Sequence, residues 1–186
     1  MKKNKRRFPD RWFWLTLLVP VAVLFSMTIQ PLSALLDGEP ITLQTVPVDP
    51  KDLFYGDYVD LKLAIEEVDA SIVDPSLTQK IEKNPSLTGI PVYISLKPKG
   101  KTWEAVKVSE STPTASPYLK GKLRPYHTSV NNEGKKMFRI DYQIDRYYVE
   151  EGAGKELEEL SRQGDVQVEV KVKNGYGVIV GVKRIH

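Results

Sequence analysis

Two hydrophobic rhythms divide the chain. From Trp12 to Leu36 there are 25 residues without a charged side chain. Such a run forms a helix of about 37 Å, against a hydrocarbon core of roughly 30 Å. Pro31 is expected to end the regular helix, and Trp12 to Gln30 alone still covers about 28 Å. Beyond Asp37 the rhythm changes to alternation. Ile41, Leu43 and Thr45 suggest a first strand, and Val59, Leu61, Leu63 and Ile65 repeat with period two. Pro91–Leu96 and Thr102–Val108 flank Lys97–Lys101 as a hairpin. Tyr118–Leu123 is a further strand, and Met137–Ile144 sets Phe138, Ile140, Tyr142 and Ile144 on one face. The sharpest hairpin signal is Asn174-Gly175 between Val166, Val168, Val170, Val172 and Val178, Val180, Val182, because both turn positions need positive φ. Two segments suit short helices: Pro75 through Ile81, and Lys155–Arg162 stopped by Gly164. Ser109–Pro117 and Asn131–Lys136 suit exposed loop and turn.

The expected fold is therefore mainly β, an antiparallel barrel or sandwich with one short helix, plus one N-terminal transmembrane helix. The expected organisation is a basic cytoplasmic leader over 1–11, the membrane segment over 12–36 and an extracytoplasmic domain over 37–186.

Charge sets the orientation. Of 27 Lys and Arg, six precede Trp12, and of 24 Asp and Glu only Asp10 does. By the positive-inside rule the N-terminus stays in the cytoplasm and the C-terminal domain crosses. A cleaved signal peptide fits less well, since the apolar run is too long and Leu32-Ser33-Ala34 is a poor small-x-small site. The remaining 21 basic and 23 acidic residues give residues 37–186 a net charge of about −2. The basic excess of the whole chain thus belongs to the leader, where anionic lipid meets it, and offers no case for nucleic acid. The lipid bilayer is the expected partner.

Composition also removes chemistry. There is no cysteine and there are two histidines, His127 and His186. Thiol nucleophiles and thiolate metal sites are excluded, and an imidazole-rich zinc site has too few ligands. No metal or cofactor is expected. Ser33, close to the membrane, lacks the surroundings of a serine–lysine hydrolase.

Two segments carry a denser pattern. In Val48-Asp49-Pro50 through Gly56-Asp57-Tyr58-Val59-Asp60-Leu61-Lys62-Leu63, Asp49-Pro50 starts a turn and Gly56 supplies conformational freedom before a strand. The second, Arg146-Tyr147-Tyr148-Val149-Glu150-Glu151-Gly152-Ala153-Gly154, leaves a strand through two glycines. In both, turn, ion-pair and packing roles compete with a binding role.

At these residues the chain resembles the GDYXXLXY family of bacterial membrane-anchored proteins. Gly56, Asp57, Tyr58 and Leu61 match the motif as spelled, whereas its last tyrosine is Leu63, which keeps burial and loses a hydroxyl. The resemblance implies an anchored extracytoplasmic domain and brings no catalytic residue with it. The candidate binding or structural patch is Asp49, Gly56, Asp57, Tyr58, Arg146, Tyr147, Glu151 and Gly152, with Arg146 available to clamp Asp57 or Asp49. The expected role is a non-catalytic binding or accessory module, its protein partner a multi-spanning membrane protein. The alternative is an envelope hydrolase with Asp57 and Glu150 or Glu151 as paired carboxylates; carboxylates are too common in this domain for that pair to be specific.

Overall fold

A computed structural model describes residues 10–47, 58–84, 87, 89–115, 117–130, 134–142, 144, 146–148 and 166–185. Its first element is helix α1, Asp10–Asp37, with Pro20 and Pro31 inside it. The stretch Trp14–Asp37 is long and apolar enough to cross a membrane, and none of its most apolar window is buried against the domain. Contrary to expectation, Pro31 does not end the helix. A proline costs its turn one N–H donor, and the helix continues for six more residues because its last turns rest on the β domain. Three polar side chains within the apolar run are satisfied locally. Ser26 Oγ donates to Val23 O (2.7 Å), Thr28 Oγ1 to Leu24 O (3.0 Å) and Ser33 Oγ to Gln30 O (3.0 Å).

The remainder is mostly antiparallel β, as the alternation predicts. One sheet holds β1 (Glu39–Gln44), β9 (Val166–Lys173) and β10 (Tyr176–Arg184), with β9 in the middle. The five-stranded sheet runs β3 (Glu67–Asp69), β7 (Lys136–Tyr142), β6 (Tyr118–Val130), β4 (Ile90–Lys99), β5 (Thr102–Ser109). A separate two-stranded ladder joins β2 (Tyr58–Asp60) to β8 (Arg146–Tyr148). The two larger sheets approach closure. β1 lies against β5, and Lys120 N–H donates to Gly175 O (2.9 Å) where β6 meets the β9–β10 turn.

That turn is the Asn174-Gly175 hairpin, with φ of 52° and 80°, the pair of positive angles a type I′ turn demands. The β4–β5 hairpin is tighter than the five-residue loop expected. Its strands pair as far as Lys99 and Thr102, and Gly100 (φ 62°) opens a two-residue turn. β6 runs seven residues past Leu123, through a register break between Arg124 and Ser129. Pro125, which has no N–H to give a ladder, lies in that break.

The strand expected through Ile65 stops earlier. After Asp60 the chain keeps only an isolated bridge, Thr45 to Leu63, and then turns through a 3-10 segment, Ala64–Glu66. Glu66 Oε1 accepts the Leu63 N–H at 2.8 Å, a side-chain partner that substitutes for a strand neighbour.

The short helix is α2, Pro75–Lys83. Asp74 caps it by accepting from Ser76 N (3.2 Å) and Ser76 Oγ (3.0 Å), and Pro75 stands at its first position. Leu77 and Ile81, four apart, turn inward. The segment Lys155–Arg162 lies outside the described residues.

The inward faces form one core. Val168, Val170 and Val172 of β9 meet Phe138, Ile140, Tyr142 and Ile144, together with Leu119, Leu123, Ile94 and Val108. Thr45, also buried, donates its hydroxyl to Val166 O at 2.7 Å.

Candidate functional site

Of the residues singled out from the sequence, Asp49, Gly56, Asp57, Glu151 and Gly152 lie outside the described residues, as do Glu150 and the carboxylate pairing built on it. Tyr58, Arg146 and Tyr147 lie on the small ladder. β2 and β8 are antiparallel, with Tyr58 across from Tyr148, Val59 from Tyr147 and Asp60 from Arg146. Segments nearly ninety residues apart in sequence are thus neighbours at the backbone. The conformational freedom proposed for Gly56 and the clamp of Arg146 on Asp57 or Asp49 both involve residues outside the described set. Leu61 and Leu63 are buried at 1% exposure each, so the position where the motif spelling has tyrosine is a core position here.

Sequence reasoning missed a charged cluster on the five-stranded sheet. Along β6, Leu119 and Leu123 face the core, so Lys120, Lys122 and Arg124 face out. Along β7, Phe138, Ile140 and Tyr142 face in, so Arg139 and Asp141 face out. Register then sets Lys122 across from Asp141 and Arg124 across from Arg139. The signal was present as period-two alternation in each strand. What no single strand discloses is which outward residues become neighbours.

The cluster is held by ion pairs of decreasing closeness. Arg124 directs Nε and Nη2 to one oxygen of Asp141, each at 2.5 Å. Arg139 Nε lies 3.8 Å from the other Asp141 oxygen, and its Nη2 lies 3.7 Å from Glu66 Oε2. Glu66 is buried; its other oxygen holds the Leu63 N–H. Tyr142 donates to Ile65 O at 2.9 Å, and burial, with Glu66 nearby, pushes its ionisation well above the usual tyrosine range. It is therefore a neutral hydrogen-bond donor. Arg124, Arg139, Asp141 and Glu66 line a pocket of about 600 Å³, together with Lys120, Lys122 and, from α1, Gln30. That volume suits a small ligand. Among the described residues no group of three or more His, Asp or Glu side chains is gathered to hold a metal ion.

The second built feature is the joint between α1 and the domain. Lys171 Nζ donates to the carbonyl of Leu35 (2.6 Å), and Lys173 Nζ meets Asp37 Oδ2 (2.8 Å). Cations therefore sit at the helix C-terminus, where carbonyls lack intrahelical donors. Gly38 N–H donates to Ala34 O at 2.9 Å; a β-carbon on Gly38 would lie 2.2 Å from that same oxygen. The joint thus requires glycine.

No curated protein and no solved structure matches the chain. A family model described as GDYXXLXY protein matches residues 20–182. That span includes most of α1, both motif segments and nearly all of the β domain, and the chain belongs to the GDYXXLXY family.

Proposed function

We propose that this chain is a single-pass membrane protein whose β domain stands outside the cytoplasm and works by association, as an accessory module of a membrane assembly. The steep basic excess before Trp12 supports the orientation. The observation that carries the association reading is the pairing of β2 with β8, which sets residues 58–60 of one motif segment beside residues 146–148 of the other as one short strip. A strip assembled from distant segments, separate from both larger sheets, suits partner recognition. Asp49, Gly56, Asp57, Tyr58, Arg146, Tyr147, Glu151 and Gly152 are the proposed patch. Its proposed partner is a multi-spanning membrane protein in the same bilayer.

Crosslinking in intact cells, followed by purification of the full chain, tests this. The expected result is a multi-spanning membrane protein recovered with wild type and depleted with Arg146→Glu at equal expression. Recovery of the same proteins from both would sink the reading. A C-terminal reporter active only in the cytosol would overturn the orientation.

A further inference from the structure

We infer that the pocket beside α1 takes the phosphate of an anionic lipid headgroup, with Lys120 and Lys122 as its principal contacts. The inference rests on the proposal that α1 spans a bilayer. From Trp12, where the uncharged run begins, to Gln30 the helix rises about 28 Å, close to the roughly 30 Å of a hydrocarbon core. Trp12 and Trp14 then mark one boundary and Gln30 the other, which leaves Gln30 to Asp37 at the depth of the headgroups. Gln30 is itself a wall of the pocket. The pocket therefore opens at the depth where lipid phosphates lie.

Its charge suits that ligand. The described lining carries four cations, Lys120, Lys122, Arg124 and Arg139, against two carboxylates, Glu66 and Asp141. Both carboxylates already face arginine, and Glu66 also holds a backbone N–H. Lys120 and Lys122 are exposed, two residues apart on one face of β6, and neither has an ion-pair partner among the described residues. Residues 37–186 carry a net charge of about −2, so this local surplus runs against their overall balance. Two lysines whose backbone positions stand roughly 7 Å apart along the strand can bring their ammonium groups to either side of one phosphate.

The test uses the full chain in nanodiscs of phosphatidylcholine with a minor share of phosphatidylglycerol, with retained lipid measured by native mass spectrometry. Wild type should enrich phosphatidylglycerol. Lys120→Gln/Lys122→Gln should lose that enrichment by roughly twenty-five-fold, about fivefold for each lysine near an anionic surface, with an unchanged melting temperature. The basic leader is present in both proteins, so the difference between them isolates the pocket. Equal enrichment in the double variant overturns the inference. So does displacement of the lipid by an equal concentration of soluble glycerol phosphate, which would mark a site for free phosphate compounds. A chain that incorporates but enriches nothing defeats the pocket assignment alone; one that stays out of the discs defeats the spanning helix as well.

Discussion

The ammonium of Lys171 donates to the backbone carbonyl of Leu35 at 2.6 Å, joining the middle strand of one sheet to the end of the N-terminal helix. Lys171→Met should remove this contact at a cost of about 0.3–1 kcal/mol while keeping most of the apolar stem. The expected readout is faster amide exchange across residues 35–41 in the full chain, with β6 and β7 unchanged. Unchanged exchange at 35–41 would show that the contact does not hold the joint.

Gly38→Ala tests the same joint by steric means. A β-carbon 2.2 Å from Ala34 O and 3.0 Å from Lys171 Cβ forces the helix end or the strand to shift. The expected effect is larger than for Lys171→Met, read as a lower melting temperature and protease cleavage near residue 38. Equal protease resistance would contradict the close approach.

Leu63 stands where the motif spelling has tyrosine. Leu63→Ala should cost about 2–5 kcal/mol, as for other buried leucines. Leu63→Tyr should cost about 1–3 kcal/mol through overpacking. Denaturant unfolding of the full chain in detergent measures both. A tyrosine variant as stable as wild type would mean that the core has room for the ring and a partner for its hydroxyl.

Tyr142→Phe removes a buried hydrogen bond and leaves the Ile65 carbonyl without that donor. The expected loss is about 1–3 kcal/mol. The tyrosine is neutral at every pH near 7, so the loss should not vary between pH 6 and pH 9; variation there would point to an ionised phenol.

Asp74 gives a pH-dependent prediction. The backbone N–H and hydroxyl of Ser76 hold its carboxyl below the usual aspartate range. A carboxylate with a lowered folded-state pKa contributes stability above its unfolded value of about 3.9, and that contribution fades as pH falls through the folded value. Asp74→Ala should therefore melt below wild type at pH 7, and the two curves should converge in acid below about pH 4. A gap that persists undiminished there would assign the effect to helix propensity.

What the sequence disclosed follows the range of each interaction. The β9–β10 hairpin was readable because Asn174 and Gly175 carry the turn themselves and their flanks alternate. The inward face of Phe138, Ile140, Tyr142 and Ile144 was readable for the same reason. The helix start at Pro75 is equally local. The break after Asp60 was not readable, because it depends on the Glu66 carboxylate folding back onto Leu63 N–H. The cluster of Arg124, Arg139, Asp141 and Glu66 depends on register between strands, which alternation leaves open. Lys171 and Lys173 lie on the polar face of a valine-rich strand, and their partners are 136 residues earlier, beyond the reach of any local pattern. Pro31 misled in the opposite direction, since docking of the last turns outweighs a single missing donor.

One residue, Gly38, separates the end of α1 from the start of β1. A 150-residue globule measures about 40 Å across, and with no tether beneath it that diameter also bounds its reach. On the proposed reading the domain cannot swing out to sample a distant wall or a neighbouring cell. Whatever it meets must itself travel within the bilayer plane or come down to it.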